Sequence, residues 1–280
     1  MSDRLFERNS AVTLGSRKSG EALKITGLRT VFQIEKNSES FPNTAKITLY
    51  NLSKNSRAMV SKEDAFVMLE AGYGDRLETL YVGDVARAYV SRQGADWVTT
   101  IECGDGRNAI RRVHVDRSYA AGTDMKAIMQ DVAKSFVEQG KVALGSMIGI
   151  ESKKTERGDV LSEMSKDAMD RLTKNQGLEW SIQNNTLQVL PKNQALPAEA
   201  VLLTPATGLV GVPVLRDVNE GTAGIEFTAL ILPGIAPGRL VKIQCDQNQS
   251  VNGLYKLEAV DFVGDTHGQS WYAEGVAVTL

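Results

Sequence analysis

Apolar and polar residues alternate in short runs along the first hundred positions. Ala45, Ile47 and Leu49 alternate with Lys46, Thr48 and Tyr50. Successive side chains of a strand point to opposite faces, so residues 45–50 are predicted to form a half-buried β-strand. Pro42 and Asn43 punctuate its start, and Asn51-Leu52-Ser53 ends it in a turn. Residues 28–35, with Leu28, Thr30, Phe32 and Ile34 on one face, are its expected hairpin partner across residues 36–40. Further strands are predicted over residues 65–71, 79–91 and 97–103, with turns at Gly72-Tyr73-Gly74-Asp75 and at residues 92–96. Gly83 interrupts the longest of them, and a bulge or bend is expected there. Ser53 is placed to cap one helical turn carrying Ala58, Met59 and Val60. Residues 1–20 are polar and carry Arg4, Arg8, Arg17 and Lys18. They read as a loose basic arm, with residues 11–14 as an alternative strand that could pair against another subunit.

The period changes after Asp105. Met125, Ile128, Met129, Val132, Ala133 and Phe136 recur at helical spacing, with Thr123 as the expected N-cap and Gly140 as the stop. Gly158-Asp159 is read as opening a second helix. Val160, Leu161, Met164, Ala168, Met169 and Leu172 would form its apolar face, and Gln176-Gly177 would close it. Residues 178–182 and 186–190 then form a predicted hairpin across Gln183-Asn184-Asn185. The tail returns to β: a kinked loop or edge segment at 208–213, then strands at 224–231, 239–245, 253–265 and 271–278. The layout is β, then α+β, then β. Short strands separated by Gly-containing turns point to sandwiches or barrels. The two β parts have similar strand spacing, which makes a duplicated β domain possible without clear sequence identity between them.

Composition narrows the function classes. The chain of 280 residues is long enough for two or three domains. A formal net charge of -2 argues against broad nucleic-acid affinity, which needs clustered Lys and Arg. No apolar run approaches the roughly 20 residues of a membrane span, so no membrane insertion is expected. The first residues lack the apolar core of a signal peptide, which argues against Sec export. Cys103 and Cys245 form no metal or redox spacing and are expected as free thiols buried in strands.

Candidate chemistry is sparse. Gly72-Tyr73-Gly74 resembles the head of a phosphate loop, but Leu77 and a following strand remove the dinucleotide context. Residues 145–149 have the wrong register for a nucleophile elbow. His114 and Asp116 would share a strand face, and His267 lies near Asp261 and Asp265; each is at most half a metal site, and a structural or solvent-exposed histidine is the favoured reading. No carboxylate pair is picked out. No catalytic, cofactor-binding or metal-binding residue is assigned, and no cofactor is expected.

The stretches Ile25-Thr26-Gly27-Leu28-Arg29-Thr30-Val31-Phe32-Gln33-Ile34 and Asn43-Thr44-Ala45-Lys46-Ile47-Thr48-Leu49-Tyr50-Asn51-Leu52-Ser53 resemble the opening of bacteriophage baseplate hub proteins, the tail-tube-like hub and late-control family. Leu69-Glu70-Ala71-Gly72-Tyr73-Gly74, Leu80-Tyr81-Val82-Gly83-Asp84-Val85, Gly208-Leu209-Val210-Gly211-Val212-Pro213 and the segments at 97–106 and 263–271 follow in the family's order, so the resemblance spans about residues 23–275. It implies a mainly β fold with an α+β insertion: two tail-tube-like β-barrel domains, at 1–108 and 196–280, flanking a small α+β domain at 109–195. It implies a structural, non-enzymatic protein of the virion tail baseplate, made in the host cytoplasm. Such a hub is a homotrimer whose pseudo-sixfold ring joins the sixfold tail tube protein to a threefold central spike protein. The tape measure and other baseplate proteins are further implied partners, and genome DNA would pass through the lumen without specific binding. Another tail-tube or tail-tip subunit is the alternative. A tail-associated cell-wall hydrolase is disfavoured, because no stretch is expected to hold a lytic domain. On the hub reading Lys46 and Thr48 would be shielded in the assembled tail.

Overall fold

The opening hairpin forms as an antiparallel pair, as expected. In the computed structural model, which describes residues 5, 7–219 and 222–280, the first β segment runs β1 (Arg8–Ser16), β2 (Ala22–Thr26), β3 (Thr30–Asn37), β4 (Thr44–Tyr50), a short helix α1 (Lys54–Met59), β5 (Ala65–Tyr73), β6 (Arg76–Gln93) and β7 (Asp96–Gly104). Phe32 lies opposite Ile47 and Ile34 opposite Ala45. All four are buried, so the predicted alternation becomes one wall of the core. Ser53 caps α1 as expected: its hydroxyl accepts a hydrogen bond from the Ser56 amide at 3.1 Å.

The insertion consists of α2 (Arg107–Arg112), β8 (His114–Tyr119), α3 (Met125–Glu138), β9 (Ala143–Met147), β10 (Asp159–Met164), α4 (Ser165–Lys174), β11 (Leu178–Gln183) and β12 (Thr186–Pro191). The last β segment is β13 (Val201–Leu203), β14 (Leu209–Asn219), β15 (Thr222–Leu230), β16 (Leu240–Ile243), β17 (Gly253–Asp265) and β18 (Trp271–Thr279). The chain divides into two compact units. Unit 1 comprises Met1–Asn37, Asn43–Gly104 and Pro197–Leu280; unit 2 comprises Ser38–Pro42 and Asp105–Leu196.

Unit 1 is one largely antiparallel sheet. Its path is β14-β15-β18-β17-β3-β4-β7-β6-β5-β1-β2, with β16 attached to β17 and β13 to β16. The two β segments meet where Ala259–Asp265 of β17 pairs with Val31–Asn37 of β3. Two runs of four strands within this path repeat each other. Ile34, Ala45, Cys103 and Val85 form one row across β3, β4, β7 and β6. Leu215, Ile225, Ala277 and Leu257 form the equivalent row across β14, β15, β18 and β17. A bulge follows each row one residue later, at Ala86 in β6 and at Glu258 in β17. Unit 2 packs α3 and α4 around Ile128, Val132, Phe136, Met169 and Leu172, all buried, against the β11–β12 hairpin. Asn184 and Asn185 both have positive φ in that hairpin's turn, where Asn is well tolerated.

Several expectations require correction. The N-terminal segment is not a loose arm from residue 8 onward. β1 pairs with β2 and β5 of its own chain, and Ala11, Val12 and Leu14 are fully buried. Its cations are held: the Arg8 guanidinium donates to the carbonyls of Gly268 and Gln269, and Arg17 lies 3.4 Å from the buried Asp84. Arg4 lies outside the described residues. Gly83 makes no bulge and pairs regularly with Val67; the register shifts fall at Leu80 and Ala86. Gly83 instead leaves room for the buried Tyr81 ring, because a Cβ there would stand 2.4 Å from the Tyr81 hydroxyl oxygen. β5 continues through Tyr73, which shortens the turn expected at 72–75. Asp124, not Thr123, caps α3: its Oδ1 accepts from the Lys126 amide at 2.9 Å, while the Thr123 hydroxyl donates to the Ala120 carbonyl. No helix opens at Gly158-Asp159. Residues 159–164 form β10 against β8, with Leu161 buried and Val160 67% exposed, and α4 starts at Ser165. The segment at 208–213 is, as one of its two readings had it, an edge segment: β14 begins at Leu209 and is kinked by a register shift between Val210 and Val214.

Candidate functional site: two open edges and a charged face

The residues singled out for chemistry are spread over different elements. His114 is exposed on β8, and the Gln139 amide brackets its backbone, accepting from its N–H at 3.4 Å and donating to its carbonyl at 3.0 Å. Asp116 shares its exposed face, opposite Ser162. Asp265 receives Arg29 Nε and Nη2 at 3.2 and 2.7 Å together with the His267 amide, so it pins the β17–β18 turn. Those hydrogen bonds, led by Arg29, hold its carboxyl below the usual carboxylate range. His267 Nδ1 lies 2.9 Å from the Thr266 hydroxyl. Gly72 sits inside β5 with Arg76 O where a Cβ would go, a tight hairpin rather than a phosphate cradle. Gly145 and Ser146 lie in β9. Cys103 and Cys245 are buried free thiols, and burial pushes the Cys103 thiol upward. Among the described residues no group of three or more His, Cys, Asp or Glu could hold a metal ion, and no helix is long and apolar enough to cross a membrane.

What unit 1 does present is a sheet with a polar face and unpaired edges. Along β15-β18-β17-β3-β4-β7, the inner strands of the run β14-β15-β18-β17-β3-β4-β7-β6, one side of each strand packs the core. The other side carries Glu35, Glu102, Glu226, Asp261, Asp265 and Glu274 against Lys46, Arg87 and Arg216. Thr48 lies on this side with Lys46. Glu274, Asp261 and Glu35 stand directly abreast on neighbouring strands. Like charges opposite one another in a ladder repel. The Asp261 carboxyl is accordingly raised, first by partial burial and then by Glu35 and Glu274.

The path ends open. β14 pairs only with β15 among the described residues, and exposes Val212, Val214 and Leu215 by 43, 61 and 54%. Among the described residues β6 pairs with β5 only up to Asp84; beyond the bulge, residues 87–93 pair with β7 alone, and Tyr89 and Val90 are exposed by 37 and 44%. Sequence reading left these edges unassigned because register decides which face and which edge each residue occupies.

Comparison with known proteins bears out the resemblance. A family model described as Baseplate hub gp41 matches residues 10–277. No curated protein matches the chain. Among solved structures, the 43 kDa tail protein of prophage MuSo2 from Shewanella oneidensis is 11% identical with a TM-score of 0.62, covering 96% of this chain and 98% of that one. The tail protein of Neisseria meningitidis MC58 is 8% identical with a TM-score of 0.66, covering 96% of each. The E. coli c3393 protein, a component of the type VI secretion system with structural similarity to T4 bacteriophage tail proteins gp27 and gp5, is 13% identical with a TM-score of 0.64, covering 90% of this chain and 73% of that one. At these identities the structures share the fold. The family match spans nearly the whole chain, and the protein belongs to the Baseplate hub gp41 family of structural phage tail proteins.

Proposed function

We propose that three copies of the chain form a baseplate hub ring with pseudo-sixfold symmetry, which joins the sixfold tail tube to a threefold spike. The observation that carries this reading is the repeat inside unit 1: two equivalent four-stranded runs, one from each β segment, already joined side by side. Each β segment is then one tube-like barrel domain, and three chains supply six. The eight-stranded run alternates direction throughout, so its first and last strands are antiparallel. Copies can therefore be added head to tail without breaking the alternation, and a heterologous contact of this kind closes into a ring when the rotation permits.

The charged face would line the channel. Its carboxylates outnumber its cations, and the row Glu274–Asp261–Glu35 offers phosphates repulsion rather than ion pairs. DNA would pass such a wall without being held. The protein would act by assembly rather than by catalysis, in the virion tail, with the tail tube, spike and tape measure proteins as neighbours. Light scattering on the purified protein tests the stoichiometry, with a trimer expected and a stable monomer refuting it. Imaging of assembled tails would separate a hub from another tail-tube or tail-tip subunit. Cysteines placed at Lys46 and Thr48 should resist bulk reagent in the assembled tail, and free labelling at both would count against the channel assignment.

A further inference from the structure

The junction already present inside the chain is a template for the one between chains. Equivalence runs through the two apolar rows and the bulges that follow them. Ile34 of β3 corresponds to Leu215 of β14. Counting on from the bulges at Ala86 and Glu258, Arg87 corresponds to Ala259, Tyr89 to Asp261 and Val90 to Phe262. Within the chain, Phe262 faces Ile34 across the β17–β3 ladder, and the two are 1% and 0% exposed. Their counterparts, Val90 and Leu215, are also apolar but are 44% and 54% exposed. The difference lies in the neighbour: Ile34 is covered by a β17, and Leu215 has no strand on that side among the described residues.

Resting on the ring reading, we infer that β6 of one copy pairs with β14 of the next in a defined antiparallel register. Val90 lies opposite Leu215, Tyr89 opposite Arg216 and Ala88 opposite Asp217. The occupant of each edge is a second copy of this chain, on three grounds. The two open edges belong to equivalent strands of the repeat. Both carry an exposed aliphatic at the position that is buried in the internal junction. The polar-face pair also changes in a favourable sense. The internal junction sets Asp261 against Glu35. The intermolecular one would set an aromatic ring against a guanidinium, a pairing Tyr89 already makes with Arg87 at 5.1 Å. The ladder is short by construction. Beyond Val214 the chain reaches Pro213, which has no amide hydrogen to donate, and the register shift at residues 211–213 turns the edge away.

Disulfide trapping tests the register. Residues directly opposite in an antiparallel ladder have Cα atoms about 4.5–5.5 Å apart, within disulfide reach. Within one chain the same positions lie at opposite ends of an eight-stranded run, seven strand spacings of about 4.8 Å apart. The two native thiols are buried and give little background. Mild oxidation of Val90→Cys/Leu215→Cys should yield covalent dimers and trimers that a reductant reverses, while either single variant and Val90→Cys/Val212→Cys should not. In parallel, Val90→Asp should convert the trimer to a monomer with an unchanged circular dichroism spectrum. A trimer by light scattering that fails to cross-link at 90/215, cross-links better at 90/212, or survives Val90→Asp overturns the register and leaves the ring intact. A monomeric parent protein overturns the ring and the register with it.

Discussion

Within the β17–β3 junction one aromatic ring lies across a glycine, and a double-mutant cycle measures that contact. Phe32, Gly264 and Trp271 stand abreast on β3, β17 and β18. The Phe32 ring occupies the space a side chain at 264 would need: a Cβ there would lie 2.1 Å from Phe32 Cζ. The ring is held from its far side by Trp271, edge-on at 5.5 Å between centroids, and both are essentially fully buried. Phe32→Ala should cost about 3–5 kcal/mol, since it loses the transfer energy of the ring and leaves a cavity. The aromatic pair, about 0.5–1.5 kcal/mol, places it toward the upper end of that range. Gly264→Ala should cost about 1–3 kcal/mol by overpacking, because Trp271 leaves the ring nowhere to withdraw. In the double variant the new methyl enters the space vacated by the ring. The combined loss should therefore fall short of the sum by about 1–3 kcal/mol. Guanidinium denaturation followed by Trp271 fluorescence, with Trp97 and Trp180 replaced by Phe, reads unit 1 directly. Additivity within about 0.5 kcal/mol would refute the close contact.

Other consequences follow from single groups. Asp261 has a raised carboxyl pKa through partial burial and its acidic neighbours, so its ionised form destabilises the fold. Asp261→Asn should raise Tm at pH 7, and the gain should fade as pH falls toward the unfolded carboxylate value of about 3.9. Asp265 behaves oppositely: the stability from its depressed pKa is present above the unfolded value and is lost as pH falls through the folded one. Asp265→Asn should therefore lower stability at pH 7, with the exposed Arg29 pair itself worth only about 0.2–1 kcal/mol, and converge on the parent in strong acid. Asp105 is fully buried and accepts the amides of Asn184 and Asn185 at 2.5 and 2.8 Å. Asp105→Ala should cost about 2–4 kcal/mol and abolish hydrogen-exchange protection in that turn. Ser53→Ala removes the α1 cap and should cost about 1 kcal/mol in thermal unfolding.

The elements legible in the sequence were those whose burial follows a single period. β3 and β4 alternate cleanly, and α3 carries an unbroken helical stripe. β1 is legible only as an alternative over residues 11–14, because its apolar residues Ala11, Val12 and Leu14 are embedded among Arg8, Asn9, Ser10 and Thr13, and its burial comes from strands on both sides. β10 reads as helix because Val160, Leu161 and Met164 have helical spacing that runs on into Ala168, Met169 and Leu172 of α4, whereas in the strand only Leu161 is buried. The internal repeat left no identity to find. Ile34, Ala45, Cys103 and Val85 match Leu215, Ile225, Ala277 and Leu257 only in being apolar. That is all a core requires of equivalent positions when total volume and pattern are kept.

The open edges also explain why head-to-tail closure is the arrangement to expect. Edge strands are usually protected by inward charges, Lys or coverage. Among the described residues β14 instead exposes Val214 and Leu215 on an unpaired edge, and β6 exposes Tyr89 and Val90 on another. Joining two β14 edges about a twofold axis would bury Leu215 but leave both β6 edges, with Val90, in water. Joining two β6 edges has the converse defect. Only the unlike pairing, repeated until the ring closes, removes both kinds of edge from solvent with one interface. In the proposed pairing the bulges at Ala86 and at 211–213 would act as stops. They would limit the shared ladder to a few residues, and in a sheet whose two faces differ so sharply in polarity a slip of one would put Val90 and Leu215 on opposite sides.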